Sequence, residues 1–112
     1  MSTPMPLLAS GAQLSPNQSV TTSDGTHRLV SQSDGNLVLS RVGGGPVWAS
    51  NTAGRTAGVT AMQGDGNLVV YDAASVPRFN TMTNGNPGAQ LFFEAGRLHV
   101  IARDGTRLWS SP

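Results

Sequence analysis

Leu37 and Leu39, Leu68 and Val70, and Leu98 and Val100 alternate with Val38, Val69 and His99. A period of two predicts strands with two unlike faces. The dipeptide Asp-Gly stands at 34–35 and at 65–66, each time between short apolar runs. Asp-Gly is a hairpin signal, because a tight primed turn needs a positive φ that glycine accepts. Further turns are marked by Asp24-Gly25, Asp104-Gly105, Asn84-Gly85 and the run Gly43-Gly44-Gly45-Pro46. Turn signals recur about every ten residues with no helical run between them, which predicts an all-β domain.

The pattern repeats. Gln32, Asp34, Asn36 and Val38 recur as Gln63, Asp65, Asn67 and Val69, from position 32 to 63, an offset of 31. Trp48 lies twelve residues after Asn36, and Phe79 lies twelve after Asn67. Trp109 lies thirty beyond Phe79, and the window around Arg97, FEAGRLHVI, keeps Gly96, Leu98 and Val100 of the pattern. The chain therefore reads as one domain of three internal repeats, roughly 7–50, 51–82 and 83–112, each of three or four short strands. A unit this small cannot bury its own apolar face, so three must pack around a shared axis. Trp48, Phe79 and Trp109 then offer one large ring per repeat to fill the centre.

Composition narrows the possibilities. Charged residues are 12% of the chain, about half the usual share. Net charge is +1, with no basic stripe to announce nucleic acid. No run of about 18 apolar residues is present, so no membrane insertion is expected. The start of the chain lacks the basic and apolar regions of a signal peptide. This predicts a cytoplasmic protein, or one released by a non-classical route. There are no cysteines, so stability rests on burial and folding needs no oxidising compartment. Two histidines without cysteine make a poor metal site, and SDGN and GDGN are too short for a calcium loop. No metal or other cofactor is expected. No nucleophile elbow occurs, so hydrolysis is not expected either.

The motif Gln-x-Asp-x-Asn-x-Val-x-Tyr, complete in QGDGNLVVY and followed in the first repeat by the run WASNT, resembles the sugar-binding motif of the monocot mannose-binding lectins, also called bulb-type or snowdrop-type lectins. The resemblance covers the chain from about Leu7 to Trp109. It implies a β-prism of three four-stranded antiparallel sheets with pseudo-three-fold symmetry and one sugar site per sheet. It also implies calcium-independent binding of mannose or mannose-rich glycans and glycoproteins, without catalysis. By similarity, Asp65 and Asn67 would hold the axial 2-hydroxyl, Gln63 the 3-hydroxyl and Tyr71 the 4-hydroxyl.

The chemistry of these side chains suits a sugar. Asp65 accepts when ionised, Gln63 and Asn67 each donate and accept, and Tyr71 offers a phenol. Val69 would meet the C–H face of the ring. The first copy, Gln32, Asp34, Asn36 and Val38, has Ser40 where the second has Tyr71. It is expected to be weaker by about one hydrogen bond, about 0.5–1.5 kcal/mol. The third copy, aligned on the same spacing, shows Phe93, Ala95, Arg97, His99 and Ile101. No acceptor is expected there, and Phe93, Arg97 and Ile101 would form a protein contact or another ligand surface.

A plainer reading makes each polar trio a solvated hairpin, as many Asp-Gly turns are. The alternative function is a protein-interaction module on a lectin-like prism with little sugar binding. The family commonly dimerises by exchanging its C-terminal strand, so a homodimer using the segment around Trp109 is a further expectation.

Overall fold

The computed structural model describes residues 3–112. In chain order these form β1 (Met5–Leu8), β2 (Gln13–Leu14), β3 (Ser19–Thr21), β4 (His27–Ser31), β5 (Leu37–Arg41) and β6 (Pro46–Ala49). Then follow β7 (Ala57–Met62), β8 (Leu68–Asp72), β9 (Pro77–Asn80), β10 (Gln90–Glu94), β11 (Arg97–Ile101) and β12 (Arg107–Ser110). No described residue is helical.

The strands make three antiparallel four-stranded sheets. Their orders are β3-β4-β5-β6, β2-β7-β8-β9 and β1-β10-β11-β12. Only the first sheet is built from consecutive strands. The N-terminal segment gives β1 to the third sheet, where Met5 pairs with Phe93. It gives β2 to the second, where Gln13 pairs with Ala61. The sheets thus cut across the repeat bounds of the sequence: residues 7–14 lie in the first repeat but pair with strands of the second and third.

Alternation explains the core. Leu29, Leu37 and Leu39 of the first sheet, Met62 and Leu68 of the second, and Leu91, Leu98 and Val100 of the third are buried and face a common centre. Each such side chain contributes about 1.5–3 kcal/mol by leaving water. The opposite face is less open than the pattern implies, since Val38, Val69 and His99 are also buried. Strands β6, β9 and β12 carry Trp48, Phe79 and Trp109. Their ring centroids lie 5.6, 5.9 and 6.1 Å apart, all edge to face. That geometry aligns the positive edge of one ring with the negative face of the next. The three-fold expectation for these rings is met.

The motif hairpins differ from the expected two-residue turn. Five residues, Gln63 to Asn67, separate the paired Met62 and Leu68. The N–H of Gly66 donates to the Gln63 carbonyl, and the N–H of Gln63 to the Asn67 carbonyl. Only the glycine has a positive φ, +95° at both Gly35 and Gly66. The true two-residue turn is in the third sheet. There Glu94 pairs with Arg97, and Ala95 and Gly96 both have positive φ.

Gly66 is required twice over. A Cβ there would lie 2.3 Å from the Asn86 carbonyl oxygen, on a backbone that disfavours L side chains. Gly64 meets nothing within 4 Å, and its counterpart in the first sheet is Ser33. Gly66→Ala is expected to lower stability by at least about 2 kcal/mol, whereas Gly64→Ser leaves it within about 0.5 kcal/mol. Urea denaturation of the two variants checks this; equal midpoints would contradict it.

Candidate functional site

In the second sheet the five motif residues come together around the β7–β8 hairpin and strand β8. Asp65 Oδ1 accepts the N–H of Asn67 at 3.0 Å, which shapes the turn and leaves Oδ2 for a ligand. The Asn67 side chain is divided in the same way. Its Oδ1 accepts from Thr81 Oγ1 at 3.2 Å and from the Thr83 N–H at 3.3 Å. Its Nδ2 makes only a long contact of 3.4 Å to Asn80 Oδ1. The face therefore presents a fixed acceptor beside a fixed donor. One sugar hydroxyl, which both donates and accepts, can satisfy such a pair.

Gln63 Nε2 donates to Tyr71 Oη. The two groups are thus held at hydrogen-bonding distance before any ligand arrives, and a ligand hydroxyl entering there exchanges one bond for another. Val69 is only 3% exposed. It forms the floor of the face rather than a raised patch. Asn80 pairs with Val69 across the strands, so its amide borders the same surface; the first sheet has Ala49 at that place. Beyond Tyr71, Asp72 closes the β8–β9 turn. Its carboxyl is held below the usual range, first by the Val76 N–H and then by Arg78, whose Nε lies 2.8 Å away.

The first sheet repeats the frame with fewer contacts. Asp34 Oδ1 accepts the Asn36 N–H at 3.0 Å. Asn36 Oδ1 accepts from Ser50 Oγ at 3.1 Å and from the Thr52 N–H at 3.2 Å. Val38 is again a buried floor. Gln32 has no phenol to bond, because Ser40 replaces it.

The third sheet requires a correction. Ser31, Met62 and Phe93 occupy one structural position, each paired with the first buried leucine of the following strand: Leu37, Leu68 and Leu98. Glu94, not Phe93, therefore follows Gln32 and Gln63. The third hairpin is one residue shorter. Phe93 is buried in the core and stacks against His27, with centroids 4.5 Å apart. It is no part of an outward surface, and Ile101 too is largely buried. Nor is the face without an acceptor, since Glu94 is present and ion-paired with Arg107. His99 takes the floor position and bonds Ser110 Oγ through Nδ1 at 2.6 Å. Burial, and then the charge of Arg97, push its imidazole below the usual value. The Asp and Asn pair has no counterpart there.

Sequence reasoning missed the residues that hold the asparagines. The hydroxyls of Ser50 and Thr52 lie 2.7 Å apart, and Thr52 Oγ1 donates to the Gly35 carbonyl at 2.6 Å. Thr81, Thr83 and Gly66 repeat this. Their signal is a hydroxyl two residues after each axial ring: Ser50, Thr81 and Ser111. Among the described residues no group of three or more His, Cys, Asp or Glu is placed to hold a metal ion.

This network separates the roles of two motif residues that the sequence treats alike. Asn67→Ala removes the acceptor of two buried partners and is expected to cost about 1–3 kcal/mol of stability. Asp65→Ala loses one exposed bond and should cost less than about 1 kcal/mol. Thermal unfolding of both variants tests the order; an Asp65→Ala protein as unstable as Asn67→Ala would refute it.

No protein-family model matches the chain. Individual relatives do. It is 36% identical over 108 residues to a mannose-specific lectin of Aloe arborescens, covering 94% of each chain. It is 31% identical over 106 residues to the B-type lectin plumieribetin of Scorpaena plumieri, covering 93% of this chain and 92% of that one. Among solved structures, a monomeric monocot mannose-binding lectin from Gastrodia elata superposes with a TM-score of 0.81 at 28% identity, over 95% and 96% of the two chains. The snowdrop mannose-specific agglutinin, complexed with methyl-α-D-mannoside, gives 0.67 at 32% identity, over 91% and 85%. A domain-swapped lectin dimer from Mycobacterium smegmatis gives 0.54 at 33% identity, over 90% and 93%. With its three four-stranded sheets, repeated hairpins and whole-length relatives, this chain belongs to the monocot mannose-binding, or bulb-type, lectin family.

Proposed function

We propose that this protein is a lectin that binds terminal mannose without calcium, through Gln63, Asp65, Asn67, Val69 and Tyr71. The observation that carries this reading is the unbonded Oδ2 of Asp65 on the same hairpin as the Asn67 Nδ2, which makes only the long contact to Asn80, with Gln63 and Tyr71 joined beside them. An axial hydroxyl fits that pair, and a sugar lacking it leaves both groups unpaired. Hydrogen-bonding sites discriminate most strongly in that way. The relatives of this family are lectins rather than enzymes, and the chain is not an enzyme. The Aloe and snowdrop relatives are named for mannose, which supports the same ligand here.

Gln32, Asp34, Asn36 and Val38 form a second, weaker site. It lacks the phenol of Tyr71 and the amide of Asn80. On an array of glycans the protein should bind mannose-rich structures in the presence of a calcium chelator. A blank array would favour a protein-interaction module instead. Titration with methyl-α-mannoside should show binding abolished at the second sheet by Asp65→Ala. The remaining first-sheet site should be weaker by about three- to tenfold, the worth of about one hydrogen bond. Binding by the Asp65→Ala protein as tight as the parent's would overturn the assignment.

So shallow a face binds a monosaccharide near millimolar, about −4 kcal/mol, and gains from several sites acting together. We infer a homodimer that exchanges β12, as the Mycobacterium smegmatis relative is a domain-swapped dimer. In the single chain β12 completes its own third sheet, with Val100 opposite Trp109. The same register can be supplied by a second copy, whose Trp109 then joins Trp48 and Phe79. Light scattering should give twice the chain mass at high micromolar concentration. A mass of 11.6 kDa throughout that range would rule the exchange out and align the protein with the monomeric Gastrodia lectin.

A further inference from the structure

One cavity lies away from the sugar motifs. It is a cleft of about 690 Å³ between the first and third sheets, within the size range of small-molecule sites. Met5, Phe93 and Val42 give it apolar walls, and His27, Asp24 and Arg41 give it polar ones. The junction of the first and second sheets holds only about 400 Å³, lined by Gly54 to Thr56 and Asp72 to Ala74, with no aromatic residue. The shortened third hairpin distinguishes the two, for its two turn residues, Ala95 and Gly96, border the larger cleft.

Part of the lining is rigidly held. Thr26 Oγ1 donates its one hydrogen to Asp24 Oδ1 at 2.7 Å, so His27 Nδ1, 2.8 Å from that hydroxyl, is the donor to it. The imidazole is thereby oriented, and it packs on Phe93 at 4.5 Å with a tilt of 36°. Phe93 is buried beneath this contact, so the half-buried imidazole of His27 is the aromatic face turned to the cleft.

The two charges of the cleft are not equivalent. Asp24 Oδ1 accepts from Thr22 Oγ1, from the Thr26 N–H and from Thr26 Oγ1. Those bonds pull its carboxyl down to about 2, and all three fall on the one oxygen, Oδ1, that holds its own loop. Arg41 has no ion pair among the described residues. Its stem lies beside Gly44, which leaves a cation at the wall with no carboxylate in ion-pair contact. A guanidinium prefers a planar, two-oxygen partner.

We propose that this cleft is a second binding site, for a small aromatic carboxylate. Its ring lies against His27 and Met5, and its carboxylate meets Arg41. The site is independent of the mannose faces, and neither motif hairpin lines it.

The test uses 2-naphthoate titrated into the nitrogen-15-labelled full chain and followed by amide shifts. Saturable shifts should be confined to residues 24–27, 41–42 and 95–96. Arg41→Gln should weaken binding by about two- to fivefold, the loss of one partly exposed ion pair. The neutral 2-naphthalenemethanol should bind more weakly than the acid, and 2-naphthylmethylamine more weakly still. Val42→Trp, at a position 47% exposed, should fill the cleft and block 2-naphthoate while the rest of the spectrum stays unchanged. No saturable shift, shifts centred elsewhere, an Arg41→Gln protein that binds as well as the parent, or an amine that matches the acid would each overturn the proposal.

Discussion

Three rings meeting edge to face on one axis are the contact on which the rest of this molecule depends. Trp48, Phe79 and Trp109 each come from the last strand of a different sheet. None of the sheets can bury its apolar face alone, and each supplies the wall that the other two lack. The rings fix the mutual angle of the sheets, because each must present an edge to one neighbour and a face to the other. Two residues beyond each ring stands a hydroxyl, and in the first two sheets that hydroxyl grips the asparagine of the motif hairpin. The axis and the outward face are therefore mechanically one object. An amide on the surface is oriented by a chain segment whose position is set at the centre.

That arrangement also explains why the asparagine must be an asparagine. An aspartate at position 67 would offer its oxygens to Thr81 and Thr83 but bring no donor outward. A serine would reach neither. The side chain needs one acceptor facing in and one donor facing out, and only a primary amide carries both on a short stem.

Much of this was legible in the sequence, and the limits are physical ones. Alternation of Leu37 and Leu39, of Leu68 and Val70, and of Leu98 and Val100 was enough to place the core. The spacing of Trp48, Phe79 and Trp109 was enough to place the axis. The exact pairing of the third copy was not legible from the glycine side of the hairpin, because a residue deleted inside a turn leaves both flanking strands intact. Approached from the strand side it was: Leu91 and Phe93 keep the inward period, so Glu94 must face out. The inward half of the Asn36 and Asn67 amides was invisible, since nothing local tells an amide bonded to a distant loop from one facing water. The allotment of β1 and β2 to the second and third sheets was hidden for a similar reason. Their apolar residues suit any of the three sheets equally, and only the closed three-dimensional ring decides among them.

The pairing of Met5 with Phe93 has a consequence for how the chain reaches its native state. The first sheet needs only residues 19–49 and is local in sequence. The third must join strands from near the two ends of the described chain, a contact that carries a large closure entropy and forms slowly. During synthesis the N-terminal strand emerges long before its partners exist. Until Gln90–Glu94 leaves the ribosome, Leu7 and Leu8 remain without their destined neighbours. The growing polypeptide thus carries a sticky leading segment through most of its elongation, and a helper that shields short apolar extended stretches would act on this end of the chain first.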